Sequence, residues 1–408
     1  MPTALAPPDP ALQLLTGADA EDLLRAALGT CGTDLLSWRV DQVDHRPGGS
    51  TTVAYTAQVR VDGREQQQVL GASTGLRSPT DVPAGVLVLS DGQQQVAVWR
   101  WPLDPGLPGL ASAADPRAVR TLLTSFGVPA GEVRLRVRTY RPRRRAVVQV
   151  DGPGCRLFLK VLRPKAVRAL HARHRLLQDA GLPVPRSLGW TDEGLLVLQG
   201  LPGASLRARL QSADGPLPDG AALLAALDRL PTEVSSLPRR RSWTQDVDHY
   251  ADVLGSALPE EAERCRRLAA RVRARTDQPA GDDPTHGDLY ESQLLLVGDR
   301  ISGLLDVDTA GPGRRTDDLA CLLAHTSVLA LMRPAHRPRL LRTTTEWLRA
   351  FDQRVDPAEL RARVAGVVLS LATGPHRVQD PEWPSATRAR LDLVEQWVVR
   401  SERLAGRR

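Results

Sequence analysis

The 408-residue sequence predicts an α+β protein whose first part is rich in antiparallel strands and whose second part is mostly helical. Three observations support this class. Strand-like runs between turn residues fill the first 130 residues, a second group of such runs follows up to residue 162, and helical patterns dominate after residue 200. We expect three domains, over residues 1–130, 131–200 and 201–408.

The composition is that of a soluble globular protein, since 42% of the residues are hydrophobic and 25% are charged. The formal net charge of +7 comes from arginines spread along the chain. No zinc-finger spacing, basic arm or aromatic RNA-binding motif accompanies them, so a nucleic-acid partner is not expected. The four cysteines stand far apart, and no apolar segment approaches the roughly 18 residues of a membrane span. We therefore expect a cytoplasmic protein with reduced thiols and no membrane partner.

The N-terminal section begins with a predicted helix over residues 20–29. Five runs of strand-like composition follow it, at 35–43, 51–59, 66–70, 85–89 and 94–101. A proline- and glycine-rich connector then leads to a second helix over 115–127, with Asp115 as its cap and Pro116 in its first turn. This order predicts a mostly antiparallel sheet.

Segments 43–59 and 137–150 resemble each other, because each contains a strand, an aromatic or histidine residue, an Arg-Pro pair and a second strand. One interpretation is a duplicated hairpin whose first copy lacks a lysine in the strand that follows it. The other interpretation is that the two places share only their strand and turn chemistry. The sequence leaves both open.

Lys160 is the only lysine within an apolar strand-like run, which covers residues 156–162. A charged amine in such a strand is costly to bury unless it has a partner, so its position favours a functional role. The helix predicted after this strand, over 167–180, is followed by the sequence GLPVP.

The densest group of polar residues follows the sequence HGDLYESQ, where apolar runs at 294–297 and 301–305 meet at a Gly-Asp pair. A two-residue turn between such runs predicts a β-hairpin. Counting back from the turn places Gln293 opposite Leu304 and makes Gln293 a diagonal neighbour of Asp306 on one face. The open end of this hairpin is therefore polar.

Two further carboxylates belong to the same open end. Asp308 follows Asp306 by two residues, a spacing that in an extended chain puts both carboxylates on one side. Asp288 lies five residues before Gln293, in the loop that enters the hairpin. We expect the three carboxylates and the carboxamide to converge. Such hard oxygen donors favour Mg²⁺ over zinc, and Mg²⁺ in these sites usually carries substrate phosphates.

The sequence HGDLYESQ, followed by LLDVD and DDLA, resembles the catalytic core of the aminoglycoside phosphotransferase and choline kinase group of small-molecule kinases. The resemblance implies a two-lobed protein-kinase-like fold, with a β-rich N-lobe and a helical C-lobe, preceded here by the extra N-terminal section. It also implies that Asp288 is the catalytic base, that Gln293, Asp306 and Asp308 serve the metal, and that Asp318 holds the catalytic loop. Glutamine replaces the usual asparagine at the metal position, as in maltokinases.

The same resemblance implies a nucleotide site for ATP or GTP with Mg²⁺. Lys160 would contact the α- and β-phosphates, and the turn with Arg143 and Arg144 would cover them, although a solvated basic turn is the alternative. The backbone from Gln199 to Leu201 would bind the adenine. The acceptor would be a hydroxyl group of a small molecule.

One departure from the family pattern concerns the helix at 167–180, which lacks the glutamate that pairs with the strand lysine in relatives. Lys160 would then be oriented by another carboxylate, by His171 or by His174, or the enzyme would be impaired. The last case predicts a nucleotide-binding pseudokinase or scaffolding module. A nucleic-acid binder is a weaker alternative.

Relatives build the acceptor pocket from their C-terminal helices, which draws attention to the loop at 373–384. Its candidate acceptor residues are His376, Arg377, Asp380, Glu382 and Trp383, and an ordinary helix connection is the alternative. His325 is expected to be a core histidine of the apolar helix that follows Asp318.

Overall fold

The computed structural model describes residues 9–75, 84–90, 94–129, 131–212 and 214–406. The chain divides into two compact units. The first consists of Met1–His171, Ser187–Gly200 and His376–Pro381, and the second of Ala172–Arg186, Leu201–Pro375 and Glu382–Arg408. The division predicted between residues 200 and 201 coincides with a boundary of these units, whereas that between 130 and 131 falls inside the first unit. The three-domain organisation stays a prediction.

The first unit begins with two short helices and an antiparallel sheet. Their bounds are α1 (Pro10–Thr16), α2 (Ala20–Gly29), β1 (Asp34–His45), β2 (Thr51–Val61), β3 (Arg64–Ser73), β4 (Val86–Ser90) and β5 (Gln95–Arg100). The strand order is β1-β2-β3-β5-β4, and we call this the N-terminal sheet. Leu15 and Leu24 of the helices pack against Tyr55 and Leu70, and the Tyr55 hydroxyl donates to the Leu15 carbonyl over 2.6 Å. The predicted strands and α2 are confirmed; α1 was not predicted.

A second helix pair and sheet follow in the same unit. Their bounds are α3 (Leu110–Ala114), α4 (Pro116–Ser125), β6 (Arg134–Arg141), β7 (Arg145–Gly152), β8 (Cys155–Leu162), β9 (Ser187–Trp190) and β10 (Leu195–Gln199), with α5 (Pro164–Asp179) between β8 and β9. We call β6–β10 the lysine sheet, because β8 carries Lys160. The helix α4 starts as predicted, since the Asp115 carboxylate accepts the N–H of Arg117 over 2.8 Å.

The two sheets have the same topology. The lysine sheet has the order β6-β7-β8-β10-β9, which repeats the order of the N-terminal sheet with every neighbour antiparallel. Each sheet is preceded by two short helices that pack on it. The resemblance of segments 43–59 and 137–150 falls on the first hairpin of each sheet. The shared topology favours a duplication over coincident turn chemistry.

The chain after residue 200 is mostly helical. Its helices are α6 (Leu206–Leu210), α7 (Gly220–Asp228), α8 (Val247–Ala257), α9 (Ala262–Thr276), α10 (Arg315–Met332), α11 (Arg337–Phe351), α12 (Pro357–Ala372), α13 (Gly374–Arg377) and α14 (Trp383–Ala405). Its strands are β11 (Ala204–Ser205), β12 (Asp283–Thr285), β13 (Leu294–Val297), β14 (Arg300–Leu304) and β15 (Gly311–Gly313). The core of the second unit centres on α10 and α12, which are buried on most sides. The predicted α+β class is confirmed.

The predicted hairpin is present as β13 and β14, but its predicted register is wrong by one residue. Pairing runs from Leu296 opposite Ile301 to Leu295 opposite Gly303, so Ser302 is an extra residue in the second strand. Such a β-bulge shifts every pair beyond it. Leu294 instead of Gln293 therefore pairs with Leu304, while the Gln293 carbonyl accepts the N–H of Leu305 over 2.7 Å.

Across the described part of the chain, no helix combines the length and the apolar character that crossing a membrane requires.

Candidate active site

The loop that enters the hairpin is fixed by a buried carboxylate. Asp318 lies in the first turn of α10 and is fully buried. Its two oxygens accept the backbone N–H groups of His286 and Gly287, each over 2.8 Å. Burial raises the pKa of Asp318, and these hydrogen bonds oppose that rise. Asp318 therefore holds the H-G-D loop (His286–Asp288) in place, as the resemblance implied.

His286 and Gly287 each have a conformational reason for their place in this loop. The His286 Nε2 lies 2.8 Å from the carbonyl of Leu305, which can only accept, so Nε2 carries the proton and Nδ1 is left to accept the N–H of Asp288 at 3.4 Å. Gly287 has φ +81°, and a Cβ there would lie 2.6 Å from the Thr309 carbonyl oxygen. The loop thus tolerates no side chain at Gly287.

Gln293 and Asp306 meet at the open end of the hairpin, as predicted. The Gln293 Nε2 lies 3.3 Å from Asp306 Oδ2, and Gln293 is 5% exposed. Turning the amide end for end would direct its carbonyl oxygen to the same place and give two hard oxygen donors, which fits Mg²⁺. Asp306 adopts φ 54° and ψ 48°, a left-handed conformation that costs about 1–3 kcal/mol and that aspartate tolerates better than most residues.

The extended conformation predicted between Asp306 and Asp308 is wrong. The left-handed Asp306 leads into a 3₁₀ turn, Val307–Thr309. The rule that residues two apart lie on the same side holds only for an extended chain, so it does not apply here. The Asp308 carbonyl accepts a hydrogen bond from the Arg173 guanidinium. Among the described residues, Asp288, Asp306 and Asp308 do not form a group with ligand atoms all within 4.8 Å of one another. The predicted convergence of all three carboxylates is therefore not observed.

The residues that do gather around Asp288 come from α10. Within the part of the chain that the structure describes, Asp288, Cys321 and His325 are the group of His, Cys, Asp or Glu side chains whose ligand atoms all lie within 4.8 Å of one another. The Cys321 thiol donates to Asp288 Oδ1 over 3.7 Å. Burial, and next the charge of Asp288, raises the pKa of this thiol.

Sequence reasoning missed this neighbourhood. Cys321 and His325 are four residues apart, so they share one face of α10, and they follow Asp318 at helical spacing. This helical spacing was the signal in the sequence that could have revealed the group around Asp288. His325, expected in the core, is half-buried and stacks on Tyr290 with ring centroids 4.3 Å apart.

Glu291 is a second residue that sequence reasoning missed. It lies inside HGDLYESQ and is fully buried, with the Arg207 Nε 3.3 Å from its Oε1. The Glu291 carbonyl also accepts the Arg207 N–H over 2.9 Å. Burial raises the pKa of Glu291, and the Arg207 charge opposes the rise. The pair ties the start of α6 to the segment between the H-G-D loop and the hairpin.

Lys160 lies in the middle of the lysine sheet, opposite Val147 of β7 and Leu196 of β10, and is 6% exposed. The following helix α5 contains no glutamate. Of its two histidines, His171 Nδ1 lies 2.8 Å from the Ser187 hydroxyl, and His174 Nδ1 lies 2.9 Å from the Pro185 carbonyl oxygen. Both histidines thus have structural contacts with the segment that leads into β9.

The two arginines predicted to cover phosphates are engaged elsewhere. Arg143 donates to the Ser73 hydroxyl over 2.6 Å and to the Gly75 carbonyl over 3.1 Å. The Arg144 Nη1 lies 3.2 Å from the Asp44 carboxylate. The sequence did not indicate these contacts, because nothing local to the turn shows that the N-terminal sheet supplies partners for it.

The predicted adenine-binding segment begins at the end of β10, whose last residue is Gln199. The N–H of Gly200 already donates to the Arg156 carbonyl over 2.9 Å. Leu201, the next residue, begins a part of the second unit. The backbone groups of Gln199 and Leu201 are the remaining candidates there.

The loop predicted to bind the acceptor is divided between the units. His376 and Arg377 belong to the first unit, together with Asp380. Burial and the neighbouring His45 lower the pKa of His376 to about 4, and Arg377 lines a small crevice with Asp44. These contacts fit a helix connection that packs on the N-terminal sheet.

The α+β scaffold and the anchored H-G-D loop are those of the protein-kinase-like phosphotransferases. A model of the Phosphotransferase enzyme family, APH, matches residues 132–363, more than half of the chain. The chain therefore belongs to this family, as its motifs predicted, and the predicted protein-kinase-like fold is confirmed. By family, the protein is a small-molecule phosphotransferase.

The chain is also similar to solved structures of several proteins. The macrolide 2′-phosphotransferase MphH from Brachybacterium faecium is 18% identical, with 67% of this chain and 97% of that chain covered and a TM-score of 0.43. A choline/ethanolamine kinase family protein from Mesorhizobium loti is 19% identical, with 67% and 91% covered and a TM-score of 0.47. The aminoglycoside phosphotransferase APH(3″)-Id from Streptomyces rimosus is 24% identical, with 63% and 98% covered and a TM-score of 0.44. No curated protein matches the sequence.

Proposed function

We propose that the protein transfers the γ-phosphoryl group of ATP, with GTP as the alternative donor, to a hydroxyl group of a small molecule such as a sugar, an aminoglycoside or a related metabolite. The observation that carries this proposal is the pair Gln293 and Asp306, 3.3 Å apart, at the end of the hairpin that the H-G-D loop enters. Phosphoryl transfer depends on positioning and charge stabilisation, for which a fixed loop and a hard-oxygen pair are suited. The family match supports the same chemistry.

The residues of the second unit would divide the work as follows. Asp288 would orient the acceptor hydroxyl and take its proton, while Asp318 keeps the backbone of the loop in place through two hydrogen bonds. Gln293 and Asp306 would hold Mg²⁺, with Asp308 available to a second ion. Mg²⁺, when bound, neutralises the charge of the phosphates.

Lys160 of the lysine sheet would bind the α- and β-phosphates of the nucleotide. Its position in β8 supports this role, because the resemblance places the lysine that contacts the phosphates on this strand. The backbone of Gln199 and Leu201 would bind the base. The two arginines of the β6–β7 turn are left out, since their guanidinium groups bind partners in the N-terminal sheet and the segment after it.

A nucleotide-binding pseudokinase is the second candidate. The absence of glutamate from α5 favours it, since relatives use that residue to orient the strand lysine. The anchored H-G-D loop opposes it, because a pure scaffold has no need of a fixed catalytic aspartate. The two candidates differ in turnover and not in nucleotide binding.

The test has two stages. Thermal unfolding is first followed with ATP or GTP, with and without Mg²⁺, and we expect a Mg²⁺-dependent rise in the unfolding temperature. Purified protein is then screened against neutral sugars, aminoglycosides and other hydroxylated metabolites for nucleoside diphosphate release. A phosphorylated acceptor identified by its mass supports the kinase. Binding without turnover on any acceptor supports the pseudokinase and contradicts our proposal.

A further inference from the structure

The side chains around Asp288 have a composition that Mg²⁺ chemistry does not need. We call Asp288, Cys321 and His325 the Asp288 cluster. It offers a carboxylate oxygen, a thiol sulfur and an imidazole nitrogen, all within 4.8 Å of one another. Mg²⁺ prefers oxygen donors alone, whereas mixed oxygen, nitrogen and sulfur donors favour Zn²⁺ and similar ions.

The geometry of the cluster fits a tetrahedral ion. With a zinc–sulfur bond of about 2.3 Å and a zinc–oxygen bond of about 2.0 Å at a tetrahedral angle, the sulfur and oxygen stand about 3.5 Å apart. The Cys321 Sγ and Asp288 Oδ1 are 3.7 Å apart. Three protein donors leave the fourth position of the ion for water or another ligand.

The cluster is also held in place on both of its elements, the helix α10 and the H-G-D loop. Cys321 and His325 are four residues apart on the same helix, α10, and Cys321 is 1% exposed. Asp318, in the first turn of that helix, fixes the loop that carries Asp288. Stacking on Tyr290 orients the His325 ring. The three donors therefore need little rearrangement to share an ion.

We propose that the Asp288 cluster binds Zn²⁺ or a similar borderline divalent cation through Asp288, Cys321 and His325, and that the bound ion blocks phosphoryl transfer. On binding, the thiol proton passes to solvent and the sulfur–metal bond forms, while the carboxylate and the neutral imidazole each donate a lone pair. The blocking effect rests on the proposed function, because it follows from the removal of Asp288 from the acceptor hydroxyl. The binding itself does not rest on it.

This site differs from the expected Mg²⁺ site in its donors. The proposed Mg²⁺ site would use the amide of Gln293 and the carboxylate of Asp306, which meet at the hairpin end. The Asp288 cluster adds sulfur and nitrogen from α10. An excess of Mg²⁺ should therefore not displace Zn²⁺ from the cluster.

The binding test uses Co²⁺, which reports thiolate coordination by a charge-transfer absorption band. Wild-type protein, free of Mg²⁺, is titrated with cobalt chloride, and we expect a thiolate band that saturates at one equivalent. Cys321→Ala should abolish the band. His325→Phe, which keeps the ring that stacks on Tyr290 but removes its nitrogens, should weaken binding by at least about tenfold.

Cys31→Ser is the matched control, because Cys31 is an exposed thiol outside the cluster. It should leave the Co²⁺ titration unchanged. Thermal unfolding without metal shows whether each variant is folded. If Cys321→Ala does not fold, the Co²⁺ titration of His325→Phe decides whether the cluster binds the metal. A wild type without the band, or a band that survives Cys321→Ala and disappears with Cys31→Ser, would overturn the proposed site.

The second arm measures turnover in saturating Mg²⁺ as Zn²⁺ is added, with each variant compared to its own zinc-free rate. We expect wild type to be inhibited and His325→Phe to need at least about tenfold more Zn²⁺. Equal sensitivity of the two proteins would overturn the blocking effect. If no acceptor is turned over at all, the proposed function fails, and the Co²⁺ titration still decides the metal site.

Discussion

The N-terminal sheet and the lysine sheet share their strand order and the two short helices that precede each, yet they differ at the position of the lysine that we propose binds the nucleotide. The third strand of each sheet begins its pairing next to a turn, at Cys155 in β8 and at Arg64 in β3. Five residues further along, β8 carries Lys160 and β3 carries Val69. The whole sequence contains two lysines, and the second of them, Lys165, lies in α5. The two sheets therefore share a topology but not a buried lysine, and under our proposal the lysine and not the topology provides the phosphate site.

The N-terminal sheet and the segments next to it form hydrogen bonds with the β6–β7 turn of the lysine sheet. The Ser73 hydroxyl, at the end of β3, and the Gly75 carbonyl accept hydrogen bonds from the Arg143 guanidinium. The Asp104 carboxylate accepts the Arg143 backbone N–H over 2.7 Å. In a kinase-like fold this turn lies over the phosphates. The N-terminal sheet and the connector after it therefore support the β6–β7 turn of the lysine sheet.

The largest effect that tests the comparison is expected at Lys160. Lys160→Met keeps the length and the apolar part of the side chain but removes the charge. We expect kcat/KM for the nucleotide to fall by about 10²–10³, since a charged donor to a developing negative charge contributes on that scale. Steady-state kinetics with the acceptor found in the screen measure it.

Val69→Met is the matched control, because Val69 occupies the equivalent position of the N-terminal sheet. It should leave kcat/KM unchanged within about twofold, because our proposal gives this position no contact with the nucleotide. If both variants lose activity equally, the two sheets do not differ as we describe. A fully active Lys160→Met would remove the lysine from the nucleotide site.

The second prediction concerns Asp104, in the connector between the sheets. Its carboxylate is 4% exposed and accepts hydrogen bonds from the Arg143 N–H and the Tyr140 hydroxyl. Oδ2 accepts both of these bonds, and Oδ1 accepts the Gly106 N–H over 2.7 Å. Asp104→Asn replaces one oxygen with a donor, which leaves the N–H of Gly106 or of Arg143 without an acceptor. We expect the free energy of unfolding at neutral pH to fall by about 1–3 kcal/mol, measured by urea denaturation.

The same residue gives a pH dependence of defined sign. Burial raises the pKa of Asp104 above its usual value of 3.8, although the hydrogen bonds from Arg143 and Gly106 oppose the rise. The folded protein then holds this proton more tightly than the unfolded chain. The stabilising contribution is complete below pH 3.8 and declines as pH rises through the folded pKa.

The destabilisation caused by Asp104→Asn should therefore become smaller as pH rises from 4 to 7, because only wild type loses this contribution. Denaturation of both proteins across that range measures the difference. Asp62→Asn, in the exposed turn between β2 and β3, is the control and should show no such trend. A destabilisation by Asp104→Asn that grows with pH would contradict a raised pKa.

The smallest effect is expected for Arg143→Ala. Losing the hydrogen bonds to Ser73 and Gly75 should lower the free energy of unfolding by about 1–2 kcal/mol. Because the guanidinium is engaged with these groups, KM for ATP should change by less than about threefold. A much larger rise in KM, with stability unchanged, would show that Arg143 covers the phosphates after all.

Residues whose role follows from local spacing were predictable from the sequence. The cap of α4 at Asp115 and the strand around Lys160 depend on neighbours within a few positions. The contact between Gln293 and Asp306 was predictable because a hairpin brings the two residues together. The role of Asp318 was predictable because the motifs occur in the order of the family pattern.

Other features depended on a single backbone irregularity. The bulge at Ser302 shifts the pairing by one residue, and apolar alternation on a short strand does not reveal an extra residue. The left-handed conformation of Asp306 ended the extended geometry assumed for Asp308. A partner distant in sequence, such as Ser73 for Arg143, was likewise out of reach of local patterns.

The measurement that tests the central claim most directly compares Asp288→Asn with Asp299→Asn. The first removes the proposed proton acceptor, and the second changes an exposed aspartate in the turn of the same hairpin. We predict that Asp288→Asn abolishes phosphoryl transfer while Mg²⁺-dependent nucleotide binding persists, and that Asp299→Asn keeps both. Full turnover by Asp288→Asn would contradict the assignment of Asp288 as the catalytic base.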